Sequence, residues 1–129
     1  MNPSELSDRE LDAAVAEEVL GWVSDHDGGP VWLRYVEGVG AADTAWIGDF
    51  WPSTDPRAMM EVLEWARRTA LYVEIAPAYE DRWVCEIAMD GDQDLYVVAH
   101  KLLPRAVAEA ALLAVRAKKG GGDEKESAK

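Results

Sequence analysis

The segment "PRAVAEAALLAVRAKK", residues 104–119, constrains the fold more than any other part of the chain. Pro104 suits a first helical turn, and near-continuous Ala, Leu and Val follow until Lys118 and Lys119 complement the negative helix end. A helix that is apolar on almost every side needs deep burial, so the rest of the chain must supply the surfaces that cover it. The three consecutive glycines at 120–122 are expected to stop it, leaving "GGGDEKESAK" too polar to pack. The expected organisation is one domain over residues 1–117 and a disordered polar tail over 118–129.

The covering elements are legible from their period and their punctuation. "LYVEIA" (71–76), "RWVCEIAM" (82–89) and "LYVVAH" (95–100) have strand composition and are joined by "PAYED" and "DGDQD", loops of hairpin length, which predicts an antiparallel meander. From Pro56 to about Arg68 the composition is helical, with Met59, Met60, Leu63, Ala66 and Ala70 available for a buried face. Near the start, Ser7 and Glu10 form a capping box and Leu6 and Leu11 a hydrophobic staple, opening a helix from about residue 8 to about 22. Its apolar stripe is Leu11, Ala14, Val15, Val19 and Trp22. "SDHDGGP" is turn chemistry, and "VWLRYVEG" and "TAWIGDFW" across "VGAAD" predict a hairpin. The order helix, hairpin, helix, meander, helix predicts an α+β fold, a three-layer α/β/α sandwich with an antiparallel meander sheet flanked by three helices.

Charge narrows the function classes. A net charge of -12 repels a phosphate backbone, so direct nucleic-acid binding is disfavoured. Residues 1–30 carry eight acids against the single Arg9, a distribution that would suit an acidic inhibitor or nucleic-acid mimic seated on a basic partner. No apolar run approaches the roughly 20 residues needed to span a bilayer, and the polar, acidic start lacks the pattern of a signal peptide. A cytoplasmic protein with no membrane association is expected, in keeping with the lone Cys85.

The constellations that carry chemistry are sparse. Asp90, Asp92 and Asp94 open like a calcium loop, but Leu95 stands where the turn glycine belongs and Lys101 where the bidentate glutamate belongs, so a hairpin turn is expected. His26, His100 and Cys85 are too widely spaced to read as a zinc site, and no metal or cofactor is expected. Cys85 shares strand parity with Trp83 and Ile87, which favours a core role over a nucleophile. Glu74 and Glu86 have the parity to share one sheet face and, with His100, are the candidates for acid and base work. In "WIGDFWPSTDP" (46–56), Asp55 or Thr54 is expected to cap the second helix at Pro56, and no general base accompanies Ser53 nearby in sequence. Six tryptophans are many for this length, and Trp46, Phe50 and Trp51 are the candidates for a partner or oligomer contact.

Three segments carry a family resemblance: "LDAAVAEEVLGW", "PSTDPRAMMEVLEWAR" and "AVAEAALLAV", which with the intervening strands span most of residues 10–117. Together they resemble the phage ABA sandwich domain, a family of short proteins of phage and prophage genomes in which a Ser-Thr-Asp step follows a proline at the start of the second helix. Pro52, Ser53, Thr54 and Asp55 match that step in order, without the aromatic residue that often stands between proline and serine in the family. The resemblance implies fold and provenance, and it implies no activity, since it transfers no catalytic residue.

The function expected is that of a non-enzymatic phage or prophage accessory protein, binding an unknown protein partner or a second copy through the aromatic hairpin region. An acidic inhibitor of a host protein is the first alternative, marked by binding that weakens steeply with salt. A small hydrolase or nucleotide-processing enzyme using Glu74, Glu86 or His100 is the second, and it requires these side chains to meet in one cleft.

Overall fold

A computed structural model describes residues 2–24, 32–35, 44–47, 50–91 and 94–128. After a short 3-10 turn at Pro3–Glu5, the first helix α1 (Asp8–Ala14) begins at the expected capping box. The Ser7 hydroxyl oxygen accepts from the Glu10 N–H at 3.1 Å, and the Glu10 carboxylate accepts from the Ser7 N–H at 2.9 Å. The helix does not stay α to residue 22, as its period predicts. Val15–Val19 is a π-helical segment, closed where Gly21 takes a φ of 72° and the Trp22 N–H donates to the Ala16 carbonyl at 2.8 Å. Glycine adopts this left-handed conformation without steric cost, so Gly21, not the later turn, ends the helix.

A small antiparallel sheet follows, of β1 (Val23–Ser24), β2 (Trp32–Tyr35) and β3 (Thr44–Ile47) in that order. The expected hairpin is the β2–β3 pair, and β1 is an addition too short to show a period of its own. "SDHDGGP" from Asp25 onward and the "VGAAD" connection lie outside the described residues.

The second helix α2 (Pro56–Thr69) starts at Asp55, whose carboxylate accepts from the Arg57 N–H at 3.0 Å, with Pro56 in its first turn. Its buried face is Ala58, Met59, Val62 and Ala66. Met60 was expected on that face and is exposed instead, because it stands about 100° around the helix from Met59. Ala70 belongs to the next strand.

The meander consists of β4 (Ala70–Pro77), β5 (Trp83–Met89) and β6 (Leu95–His100), antiparallel in that order. Its register puts Val73, Ile75, Cys85, Ile87, Met89, Tyr96 and Val98 on one face, inward, and these join the main core. The last helix α3 (Leu103–Ala128) lies across β5 and β6 while α2 reaches β4, and α1 with the π segment packs on α3. Most α3 residues from Arg105 to Val115 are buried, as the apolar run requires. Its helical backbone continues through the glycines expected to stop it, since glycine lacks a side chain but keeps the N–H that the helix needs. The result is an α+β sandwich of three helices and an antiparallel meander. Among the described residues no helix is long and apolar enough to cross a membrane.

Among the described residues, one turn carries backbone strain. Glu80 and Asp81, between β4 and β5, take φ of 61° and 57°, and the Arg82 N–H donates to the Tyr79 carbonyl at 3.3 Å. Two successive left-handed residues form the primed turn that suits a twisted hairpin, and Asn-Gly fits it with less strain than Glu-Asp. Replacing Glu80→Asn together with Asp81→Gly is expected to raise stability by on the order of 1 kcal/mol in equilibrium unfolding.

Candidate functional site

Two places gather polar or reactive side chains: a buried cluster where α1, the Ser53 loop and α3 meet, and the outward face of the meander. In the first, Arg105 stands buried at the start of α3. Its Nε donates to Glu109 at 2.5 Å, one Nη donates to Asp8 at 2.7 Å, and the other donates to the carbonyls of Leu6 at 2.6 Å and Pro3 at 3.3 Å. Burial works against the guanidinium charge, but the bonds to Glu109 and Asp8 outweigh it and hold the pKa above its ordinary value. One turn along α1, the buried Asp12 accepts from the Ser53 N–H at 2.8 Å through Oδ1. Its Oδ2 is buried with no hydrogen-bond partner. Burial pushes the Asp12 carboxyl up, and hydrogen bonds from the Ser53 N–H and hydroxyl oppose that shift without cancelling it.

This cluster is built to hold helices together. The Ser53 hydroxyl is fully buried, donates to the Asp8 carbonyl at 3.4 Å and also interacts with the Asp12 carboxylate, so it is closed off from solvent. Asp12, Ser53 and Glu109 come one from each of the three segments that carry the family resemblance. A second clasp lies three turns further along α3, where Arg116 forks onto Glu18 with two bonds of 2.9 Å. Asp8, Glu10, Asp12 and Glu18 are thus committed to internal partners, which reduces the acidic display expected of residues 1–30.

On the meander, Glu74 and Glu86 are directly opposite each other across β4 and β5, as their parity predicts, on the face turned away from the helices. His100 pairs with Trp83 and so belongs to the other face, and its Nδ1 accepts from the Leu102 N–H at 2.9 Å. The three acid and base candidates therefore do not share a cleft. Cys85 is buried on the inner face, where burial and the nearby Glu86 charge push its thiol up to about 12. Phe50 is buried against Trp22, with ring centroids 4.5 Å apart, whereas Trp51 is 43% exposed. The Trp46 side chain, His26 and Asp92 lie outside the described residues.

Around the glutamate pair is a group that the sequence reading missed. Tyr72, Leu95 and Val97 share the outward face and are 43%, 48% and 49% exposed. The Tyr72 hydroxyl is hydrogen-bonded to Glu74, which raises its pKa. The signal was present in "LYVVAH", apolar at both strand parities, although only one parity can face the core.

Comparison with known proteins agrees with this geometry. A family model described as the phage ABA sandwich domain matches residues 13–112. Among solved structures, the crystal structure of a phage protein from Bacillus cereus ATCC 14579 is similar, with a TM-score of 0.61 at 16% identity, covering 85% of this chain and 93% of that one. At that identity the likeness is one of fold. No curated protein matches the chain.

Replacing Arg105→Met, which strands Glu109 in the core, is expected to cost about 3–5 kcal/mol in chemical unfolding. Adding Glu109→Leu should recover most of that loss, because both buried charges are then gone. The folded state binds a proton at Asp12 more tightly than the unfolded chain does. This group's contribution to stability is therefore largest below the ordinary aspartate range and is lost as pH rises through the raised folded value. Asp12→Asn keeps the acceptor for Ser53 and should flatten that part of the profile of stability against pH, leaving the variant at least as stable as the parent at pH 7.

Proposed function

The chain belongs to the phage ABA sandwich domain family, and from that premise we propose that it is a non-enzymatic phage or prophage accessory protein that binds a partner protein in the cytoplasm of the bacterial host. The contact surface is the outward face of the meander, not the aromatic hairpin that the sequence favoured. The observation that carries this reading is the exposure of Leu95 and Val97 next to each other on β6, with Tyr72 on the same sheet face across β5. Large apolar side chains gathered on an exposed face mark a contact surface more strongly than the same residues scattered singly.

A non-enzymatic role is supported by the separation of the reactive groups. Glu74 and Glu86 stand on one face and His100 on the other, while Ser53 and Cys85 are fully buried. The acidic-inhibitor alternative retains the net charge of -12 as its support, but four acids of the first helical region are already paired or buried within the fold.

Co-purification from host lysate with the parent protein and with Leu95→Thr/Val97→Thr tests the surface. Both substitutions keep strand propensity at exposed positions, so thermal unfolding is expected to stay near that of the parent. A partner retained by the parent and lost from the variant is the expected outcome, and a partner that stays bound to the folded variant would overturn it.

A further inference from the structure

We propose that the outward face of the meander receives a basic amphipathic helix of a partner protein, an assignment that rests on this face being the binding surface. Two adjacent rows run across the sheet. Tyr72, Ala88 and Leu95 form one, and Glu74, Glu86 and Val97 form the next. The apolar side chains of β6 thus lie directly beside a pair of carboxylates. At the outward positions of the three strands, Glu74 and Glu86 are the only charged residues. Like charges directly opposite in a sheet cost stability, so within the fold this pair is unfavourable, and a cation laid over it removes the repulsion.

Size selects the occupant. Three strands about 4.8 Å apart make a face about 10 Å wide, the diameter of one helix, and about 20 Å along the strands accommodates about 14 helical residues. A helix lying along the strands would set its apolar side on Leu95 and Val97 and its Lys or Arg side chains over Glu74 and Glu86, the helix-on-sheet packing that α2 and α3 already make on the inner face. A second copy of this chain fits poorly. It would bring another Glu74 and Glu86 to the same place and join two molecules that each carry -12.

The test uses synthetic helical peptides of about 14 residues, the length that matches the face: one with a Leu face and a Lys face, one with the same Leu face and Glu in place of Lys, and one scrambled from the first. Affinities are measured by fluorescence anisotropy against the whole protein. The Leu/Lys peptide is expected to bind on the order of tenfold more tightly than either of the others. Glu86→Lys turns the carboxylate pair into a cross-strand ion pair, so it should leave the fold at least as stable while weakening the Leu/Lys peptide by on the order of tenfold. Glu17→Lys makes the same change in net charge at an exposed position of the π segment and should alter affinity by less than about twofold. Equal losses in the two charge variants would mean attraction by net charge alone and would overturn the proposal. Equal binding of the Leu/Lys and Leu/Glu peptides, with both lost in Leu95→Thr/Val97→Thr, would overturn the basic chemistry and keep the face. Unchanged Leu/Lys binding in that apolar variant would overturn the face itself. A homodimer in sedimentation that Leu95→Thr/Val97→Thr dissociates would put a second copy there and overturn the partner helix.

Discussion

The guanidinium of Arg105 ties the start of α3 to a single short stretch near the other end of the described chain, Pro3 to Asp8. It reaches the first 3-10 turn through the carbonyls of Pro3 and Leu6, the start of α1 through Asp8, and its own helix through Glu109. A buried arginine is tolerated only when its donors are occupied, so the position of α3 and the position of the N-terminal turn are solved together or not at all. With α1 fixed there, Asp12 is in place to take the Ser53 N–H, and Ser53 in turn sets where α2 begins. The meander packs on the helical layer that these polar contacts orient.

The same cluster gives the Ser-Thr-Asp step a structural role despite its resemblance to a reactive site. A serine and two nearby acids are the ingredients of nucleophilic chemistry, yet here the serine is fully buried, with its N–H on Asp12 and its hydroxyl held between the Asp8 carbonyl and the Asp12 carboxylate. The three family segments meet at this point, so the resemblance follows a packing solution. The surface that can still do something is elsewhere, on strands whose outward residues contribute little to the core.

Features with local causes were legible in the sequence. The capping box at Ser7, the cap at Asp55, the strand segments and the parity of Glu74 with Glu86 depend on neighbours a few residues away, and they are found as expected. Features decided by distant contacts were not. Nothing near Arg105 announces that Asp8 will be its partner, and the alternation of β6 does not say which of its two apolar faces the helices will choose. The π segment fell between the two cases. Gly21 is a visible stop signal, but the apolar stripe continuing to Trp22 masked it. Of the three aromatic residues expected at a contact, Phe50 is buried against Trp22, which depends on packing that residue type does not encode, while Trp51 is exposed and the Trp46 side chain lies outside the described residues.

The two arginine clasps also fix a direction. Arg105 holds the first turn of α1 and Arg116 holds the π segment behind it, so the first and last helices run parallel, side by side, with nearly the whole chain between them. Contacts this remote in sequence close the largest loop available, and the entropy of that closure must be met before they return anything. During synthesis α1 leaves the ribosome before α3, and its apolar stripe stays unpartnered until α3 follows. The meander, with its short loops, can form in the interval. The first helix is then made before the meander and docks after it, and in that interval its exposed apolar stripe is open to aggregation.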